Sequence, residues 1–380
     1  MEACRINVSG INEKWRARLK VVFRVDASFA MGTGHVMRCL TLAQALKDNG
    51  VNVEFICRKH EGSLIDKIRS SGFVAHELKV FEETEVDNKL AHSHWLGATQ
   101  QQDADDCINI LKAEKLDWLI VDHYALDEQW QKRLKPYCEK LMVIDDLANR
   151  NLDCDILLDQ NYCDNFENRY DKLVPKNCKK FLGPRFLILR DEFLKLHKTS
   201  KKNKKTIRKI MLFFGGSDDS HETIKVVKIL PFIKNLDLSF DIVLGKNNSD
   251  IKKIIDLCRH INKVSIHIQI DNMAEIMSKT DLAIIAGGST VWEACCLGTP
   301  IYTVVTAENQ NIIISYLDKI GVINNIGLSE NITSEDMLKS IEYACSHAYS
   351  FFKMGYSASK IIHSCGSSIG NVVSSIVKDN

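Results

Sequence analysis

The sequence has little proline, no excess of either charge and no long apolar run, and each absence excludes a class of protein. Five prolines in 380 residues leave no proline-rich stalk. The net charge of +1 argues against a dedicated nucleic-acid binder, whose surface normally carries a basic excess. No run approaches the roughly 18 apolar residues of a membrane span, and residues 1–20 lack the apolar core of a secretory signal. We therefore expect a cytoplasmic protein that has neither nucleic acid nor a membrane as its partner.

The cysteine pattern argues against disulfides and zinc sites. Thirteen cysteines are scattered along the chain, none forms a CxxC pair, and no Cys/His cluster has zinc-ligand spacing. In a long chain without a signal segment they are expected to be reduced and mostly buried. The acids at strand ends leave a metal site open as an alternative, but no DxD-type pair stands out among them. We predict neither a metal nor a cofactor.

Short runs rich in branched apolar residues alternate with helical segments twice along the chain, which predicts parallel, doubly wound sheets. The fold class is therefore α/β, with two Rossmann-like domains and a ligand expected in the cleft between them. The predicted strands of the first half are 21–26, 51–57, 73–78, 117–122, 141–146 and 154–159. Those of the second half are 209–214, 240–245, 264–269, 281–288 and 300–305.

The clearest break in composition is residues 195–206, which hold six lysines and no acid. Charge runs usually mark solvated surface, so this segment is interpreted as a linker rather than a nucleic-acid arm. It separates an N-terminal domain over 21–194 from a C-terminal domain over 207–349. Residues 1–20 are interpreted as an extension that is disordered, and 350–380 as a pair of C-terminal helices.

The first candidate site follows the first strand, because ligands of open α/β sheets bind at the carboxyl ends of the strands. Arg24 and Asp26 end that strand, and Gly32 and Gly34 allow a ligand to approach the backbone closely. His35 comes in the first turn of the next helix, whose N-terminus disfavours an imidazolium ion. A neutral imidazole is suited to act as a general base. The alternative is a capping or core histidine.

A second candidate site lies at a Gly-Gly turn late in the chain. Gly288, Ser289 and Thr290 begin a helix whose first N–H groups can cradle a diphosphate. Glu293 comes one turn later, where its carboxylate could accept both hydroxyl groups of a ribose. A capping box made by Ser289 or Thr290 with Glu293 explains the same spacing. The sequence leaves these two interpretations open.

Further polar residues and glycines follow other predicted strands, where they could orient a substrate or simply cap a turn. In the first half these candidates are Asp122, Tyr124, Asp145 and Asn161, among the segments DHY, DD and DQN. In the second half they are Arg190, Gly215, Gly216, Ser217, Asn309 and Gln310.

Several of these segments together resemble a known family. The run FRVDASFAMGTGHVMRCLTLAQAL is followed in order by VDHY, VIDDLANR, LLDQNY, LGPRFLILRDEF, FFGGSD, DLAIIAGGSTVWEACCLG and AENQ. Over about residues 21–325 they resemble the UDP-2,4-diacetamido-2,4,6-trideoxy-β-L-altropyranose hydrolases of pseudaminic acid biosynthesis. More broadly they are similar to GT-B glycosyltransferases. Residues 1–20 have no counterpart in the family pattern.

The resemblance implies a GT-B fold and a UDP-sugar substrate that is hydrolysed to UDP and the free sugar. The family's GxGHxxR motif falls on Gly32, Gly34, His35 and Arg38, which implies that His35 activates the attacking water, with inversion at C1. The same resemblance places UDP at 288–293 and implies that no metal takes part. A GT-B glycosyltransferase that uses a UDP-sugar donor is the alternative, and a binding protein without chemistry is a third hypothesis. The oligomeric state is left open.

Overall fold

The computed structural model describes residues 19–81, 90–113, 115–197, 206–234, 237–363 and 368–378. The chain forms two compact units, the first from residues 1–161, 165–188 and 367–380 and the second from 162–164 and 189–366. The predicted extension, apart from residues 19 and 20, and most of the predicted linker lie outside the described residues. Each unit is built around one parallel sheet, and the α/β prediction is confirmed.

The first unit contains a seven-stranded sheet in the order β3-β2-β1-β4-β5-β6-β7, with every neighbouring pair parallel. Because the order reverses after β1, the strands β1 and β4 are neighbours at the topological switch point, where such sheets bind ligands. The strands are β1 (Lys20–Val25), β2 (Asn52–Arg58), β3 (Val74–Leu78), β4 (Leu116–Asp122), β5 (Cys138–Ile144), β6 (Ile156–Asp159) and β7 (Lys179–Leu182).

Four helices connect the first strands of this sheet: α1 (Gly34–Asp48), α2 (Ile65–Ser70), α3 (Gln100–Leu111) and α4 (Glu128–Leu134). Helix α3 begins at a capping box, in which Thr99 and Gln102 each bond the other's backbone N–H. The central strands β1 and β4 are buried on both faces, as their near-continuous apolar sequences require. One core lies on each side of the sheet.

The second unit contains a six-stranded parallel sheet in the order β10-β9-β8-β11-β12-β13, with β8 and β11 at its switch point. Its strands are β8 (Lys209–Phe213), β9 (Ser239–Leu244), β10 (Val264–Ile268), β11 (Leu282–Ala286), β12 (Ile301–Val305) and β13 (Asn324–Leu328). Its helices are α5 (Asp191–His197), α6 (Glu222–Val227), α7 (Ile251–Cys258), α8 (Met273–Ser278), α9 (Thr290–Leu297), α10 (Asn311–Lys319), α11 (Ser334–Ser346) and α12 (Ala348–His363).

The division between the units lies a few residues before the lysine-rich segment. Helix α5 belongs to the second unit because Phe193 is fully buried there and the His197 ring bonds the backbone oxygen of Cys296. The last helix, α13 (Ser368–Lys378), belongs instead to the first unit, where its apolar face packs in the core beside α1. Among the described helices, none combines the length and the apolar character needed to cross a membrane.

Candidate functional site

The first candidate site lies at the switch point of the first unit, where β1 and β4 end side by side. Its central contact joins His35, in the first turn of α1, to Asp122, the last residue of β4. The imidazole Nδ1 and the carboxylate Oδ1 are 2.7 Å apart. Burial alone would raise the pKa of Asp122, but the charge of Arg38 and the contact with His35 hold it well below its usual range. An ionised carboxylate can only accept, so Nδ1 of His35 is the donor in this contact.

Arg38 fixes that carboxylate from the other side. Its Nε lies 2.5 Å from Oδ2 of Asp122 and its Nη2 lies 2.7 Å from Oδ1, a two-pronged ion pair that is almost fully buried. His35 and Arg38 are separated by one turn of α1, so one helix face presents both to the end of β4. Within the described part of the chain, no hydrogen-bond partner is found for Nε2 of His35.

Tyr124 and Asn161 both contact Asp146, a residue of this site that the sequence analysis did not select. The Tyr124 hydroxyl donates to Oδ1 of Asp146, and Nδ2 of Asn161 donates to Oδ2 of Asp146 at 2.9 Å. Arg38 Nη1 lies 3.5 Å from the same carboxylate. Burial and the Asp146 charge raise the pKa of Tyr124 well above its usual range, so the hydroxyl keeps its proton. The sequence feature that could have indicated Asp146 is its place as the second acid of the segment VIDDL, directly after a predicted strand.

Asp145 was predicted to bind substrate, and the structure places its side chain inside the fold. Its side chain has no exposed surface. One carboxylate oxygen pairs with Arg150 at 2.7 Å, and the other accepts from the backbone of Leu147 and Ala148 and from the Tyr170 hydroxyl. These four partners occupy the carboxylate, so Asp145 holds the turn after β5 rather than facing a ligand.

Arg24 and Asp26 were also predicted to bind substrate, and both are instead buried below the site with fully covered side chains. Arg24 pairs with Asp26 at 2.6 Å and with Asp103 of α3 at 2.6 Å. Arg58 of β2 donates its backbone N–H to Asp26 and its guanidinium to Asp103. The charges thus neutralise one another inside the fold, where an unpaired charge would be costly. This network joins β1, β2 and α3.

The two glycines before His35 serve a tight turn. Gly32 has φ +71°, a left-handed conformation that favours glycine, and its N–H donates to the Ser28 carbonyl at 2.9 Å. A Cβ atom at Gly32 or Gly34 would meet nothing within 4 Å, so the backbone on this side is open to a ligand.

The second candidate site lies at the switch point of the second unit, where turns follow β11 and β8. A methyl group at Gly287 would come 2.7 Å from Cγ1 of Ile314, whereas one at Gly288 would meet nothing within 4 Å. Ser289 precedes α9 and its side chain forms no capping hydrogen bond. At the start of α9 the Val291 and Trp292 N–H groups donate to the Gly288 and Ser289 carbonyls at 3.1 and 3.0 Å. The N–H groups of Ser289 and Thr290 are therefore the ones available to an anion.

Glu293 does not form the capping box that the sequence allowed. Its Oε1 accepts from Nε of Arg190 at 2.8 Å, and Arg190 also pairs with Glu192 at 2.7 Å. The Glu293 side chain is 12% exposed, so a ligand can still reach it. Arg190 and Glu293, which were predicted separately, are therefore brought together.

Three glycine and serine candidates lie in the turn after β8. Gly215 has φ +94°. The Gly216 backbone lies so close to Gly245 that a Cβ added at Gly245 would fall 2.1 Å from the Gly216 carbonyl oxygen. Ser217 donates to Asp219 at 3.1 Å. Asp218 accepts from the first N–H groups of α6, as expected of a helix cap.

Asn309 and Gln310 lie in a 3₁₀ turn after β12. Oε1 of Gln310 accepts from the Thr306 backbone at 3.0 Å and lies 3.0 Å from where a Gly287 Cβ would be. Gln310 therefore lies beside the glycine turn of the second candidate site. Among the described residues, no group of three or more His, Cys, Asp and Glu side chains is arranged to hold a metal ion.

Comparisons with known proteins show what this chain is similar to. Residues 210–313 match the family model of the glycosyltransferase family 28 C-terminal domain. An uncharacterized protein of Methanocaldococcus jannaschii is 31% identical over 77% of this chain, which spans 57% of that relative's length. The UDP-2,4-diacetamido-2,4,6-trideoxy-β-L-altropyranose hydrolase of Campylobacter jejuni is 28% identical over 80% of this chain and 97% of its own.

The MurG structure from Acinetobacter baumannii is similar to this chain with a TM-score of 0.61 at 15% identity, over 95% of this chain and all of that one. At that identity the likeness shows the fold alone, and the fold is GT-B. The resemblance that the sequence motifs indicated, to these hydrolases and to the GT-B superfamily, is thereby confirmed.

Proposed function

We propose that this protein hydrolyses UDP-2,4-diacetamido-2,4,6-trideoxy-β-L-altropyranose to UDP and 2,4-diacetamido-2,4,6-trideoxy-L-altrose, a step of pseudaminic acid biosynthesis. The observation that carries the proposal is the Asp122–His35 contact at 2.7 Å, which leaves the imidazole Nε2 as a base at the switch point of the first unit. The similarity to the Campylobacter hydrolase, which extends over nearly all of that relative, supports the substrate.

The first unit supplies the base. Asp122 orients the ring, stabilises the imidazolium that forms when Nε2 takes a proton, and is itself held ionised by Arg38. Tyr124 contacts the His35 ring edge-on at 4.6 Å between centroids and limits its rotation. A ring fixed from two sides is better placed to act than a mobile one, since proton transfer depends on geometry.

The second unit supplies the nucleotide site. The N–H groups of Ser289 and Thr290, reached past the open face of Gly288, can bind the diphosphate, and Glu293 can accept the ribose hydroxyl groups. Arg190 holds the Glu293 carboxylate in place through its 2.8 Å contact. Anion binding by N–H groups needs no lysine cluster, which agrees with a net charge of only +1.

The proposed reaction is a single displacement at C1. Water gives one proton to Nε2 of His35 while its oxygen forms a bond to C1. The bond from C1 to the diphosphate oxygen breaks, and its electron pair leaves with UDP. Attack opposite the leaving group inverts C1. The N–H groups at the start of α9 stabilise the charge that develops on the leaving diphosphate.

The direct test is to incubate the protein with the UDP-linked sugar and follow the C1 signal by NMR. We expect UDP and the free sugar to appear without any acceptor. Because inversion changes the configuration at C1, the α-configured sugar should form first from the β-configured substrate. Absence of turnover without an acceptor would contradict the proposal. Retention at C1 would contradict the single displacement.

A glycosyltransferase with a UDP-sugar donor is a second candidate, favoured by the family 28 match over residues 210–313. It predicts that UDP release is slow in water and rises strongly when a sugar or lipid acceptor is added. Comparing the rate of UDP release with and without candidate acceptors separates the two functions, because the hydrolase needs only water.

A further inference from the structure

A group of aromatic side chains stands beside His35 and is not used by the mechanism above, apart from Tyr124. We name His92, Trp95 and Tyr124 the aromatic wall. Trp95 is stacked on Tyr124 with centroids 5.7 Å apart, and His92 meets both rings edge-on at 4.4 and 5.3 Å. The His35 ring lies 4.6 Å from Tyr124 and 6.3 Å from Trp95. Any molecule that reacts at His35 therefore meets an aromatic surface.

The segment that carries Trp95 is fixed by its neighbours. Trp95 ends a 3₁₀ turn, and the next residues, Leu96 and Ala98, are buried in the core of the first unit. Gly97 between them has φ +64°, and a Cβ there would fall 2.8 Å from the His60 ring. Its carbonyl accepts from the Phe81 N–H at 2.9 Å. Because these contacts hold the backbone that directly follows Trp95, they fix the position from which its side chain extends.

The exposure of the wall indicates a binding surface rather than core packing. Tyr124 is buried, whereas His92 and Trp95 are only half-buried. Ligand sites are typically lined by aromatic side chains with a few convergent polar groups. Here the polar groups are already present, because Tyr124 bonds Asp146 and His35 bonds Asp122.

We propose that the aromatic wall binds the methyl-bearing substituents of the sugar, and that Trp95 is a specificity-determining residue. This deepens the proposed function and rests on it. A 2,4-diacetamido-2,4,6-trideoxy sugar carries three methyl groups, two on acetamido groups and one at C6, where an ordinary hexose presents hydroxyl groups. Aromatic faces bind such apolar groups, while a hydroxyl group placed there would lose its hydrogen bonds to water.

The kinetic test compares Trp95→Ala with Trp95→Phe, which keeps an aromatic ring at this position. We expect Trp95→Ala to raise KM for the UDP-sugar about 10- to 100-fold with a smaller change in kcat, by analogy with one or two apolar contacts in a pocket. Trp95→Phe should recover most of the loss. Inhibition by UDP alone should keep its Ki, because UDP has no methyl-bearing sugar.

An unchanged KM in Trp95→Ala would overturn the inference. So would an equal loss of affinity for UDP and for the UDP-sugar, because that would indicate a general structural defect. Circular dichroism and thermal unfolding of each variant establish that it is folded before its kinetics are compared.

A binding measurement tests the wall without requiring turnover. In His35→Ala protein with the UDP-sugar, selective irradiation of aromatic protons should transfer saturation to the acetamido and C6 methyl protons. The transfer should fall in the His35→Ala, Trp95→Ala double variant. Methyl signals that receive no saturation would overturn the inference. A wild-type protein that binds through the wall but releases no UDP would instead contradict only the proposed hydrolysis.

Discussion

Asp122, the last residue of β4, contacts both His35 and Arg38 of helix α1. Through these two contacts β4 positions the start of α1. The two carboxylate oxygens of Asp122 meet Nδ1 of His35 and the guanidinium of Arg38, all at 2.7 Å or less. His35, the base proposed for water activation, and Arg38, whose charge keeps Asp122 ionised, are therefore coupled through the Asp122 carboxylate.

Asp122→Asn tests this coupling. An asparagine fits the same space but loses the negative charge and can present an N–H to Nδ1, which favours the wrong tautomer of His35. We expect kcat to fall about 10²-fold or more, while the second unit keeps its affinity for UDP. The measurement is steady-state UDP release together with calorimetric UDP binding.

The matched control is Asp117→Asn, the same change near the start of the same strand, where the carboxylate accepts from the Lys20 backbone. It should leave kcat close to wild type. His35→Ala should lose about 10² to 10⁴ in turnover with UDP binding intact. If His35→Ala and wild type turn over alike, His35 is not the base.

Glu293→Ala tests the ribose contact. Loss of a carboxylate that accepts hydroxyl groups should weaken UDP binding by about 1.5–3 kcal/mol, or roughly 10- to 150-fold. Stability should change little, because Glu293 caps nothing and Arg190 keeps Glu192 as a partner. Calorimetry with UDP and thermal unfolding measure the two effects. Glu275→Ala, an exposed pair with Lys279 in the same unit, serves as control.

The capping-box interpretation predicts the opposite pattern for Glu293→Ala. Under that interpretation UDP affinity is unchanged and the free energy of unfolding falls by about 1 kcal/mol. That outcome would remove the ribose role from Glu293.

Gly287 and Gly288 form a matched pair for the diphosphate site. Gly288→Ala adds a methyl group where nothing lies within 4 Å, so we expect normal stability but UDP affinity reduced at least about 10-fold, because the methyl group blocks close approach to the backbone. Gly287→Ala meets Ile314 at 2.7 Å and should cost about 1–3 kcal/mol of stability. Calorimetric UDP binding and thermal unfolding of both variants measure these effects. Full UDP affinity in a folded Gly288→Ala protein would place the diphosphate elsewhere.

Most strands, and the candidate sites at their carboxyl ends, could be predicted from the sequence. Buried parallel strands are continuous apolar runs, and here they are followed by turns that contain glycine or acidic residues. Two strands, β7 and β13, were missed because they lack this apolar pattern. In β7, KKFL, only Phe181 is fully buried, and β13, NNIGL, lies at the edge of its sheet with no buried residue. Neither carries the apolar pattern on which the prediction depended.

The contacts of a polar side chain at a strand end decide whether it lies inside the fold or at the site. Asp145 and Asp146 are adjacent in sequence, yet one faces Arg150 inside the fold and the other faces Tyr124 at the site. Arg24 is buried because Asp103, 79 residues away, neutralises it. The sequence shows polar residues at strand ends but not which of them meet a buried charge of opposite sign.

Asp159, at the end of β6, gives a prediction about stability that is independent of catalysis. Burial, followed by the charge of Asp146, raises its pKa to about 8, although Arg169 opposes the shift. An unfolded chain releases this proton near pH 4. Between about pH 4 and pH 8 the folded protein therefore holds one proton more, so its free energy of unfolding falls as the pH rises, by at most about 1.4 kcal/mol per pH unit.

Asp159→Asn mimics the protonated side chain at every pH, so it should remove this contribution to the slope. We expect the variant to gain stability relative to wild type as the pH rises from 5 to 8, measured by urea unfolding at each pH. Asp153 lies in the turn before β6, and its carboxylate pairs with Lys135. The control variant Asp153→Asn should retain the wild-type slope. The same slope in Asp159→Asn and wild type would show that Asp159 is ionised in the folded protein, with Arg169 as its decisive partner.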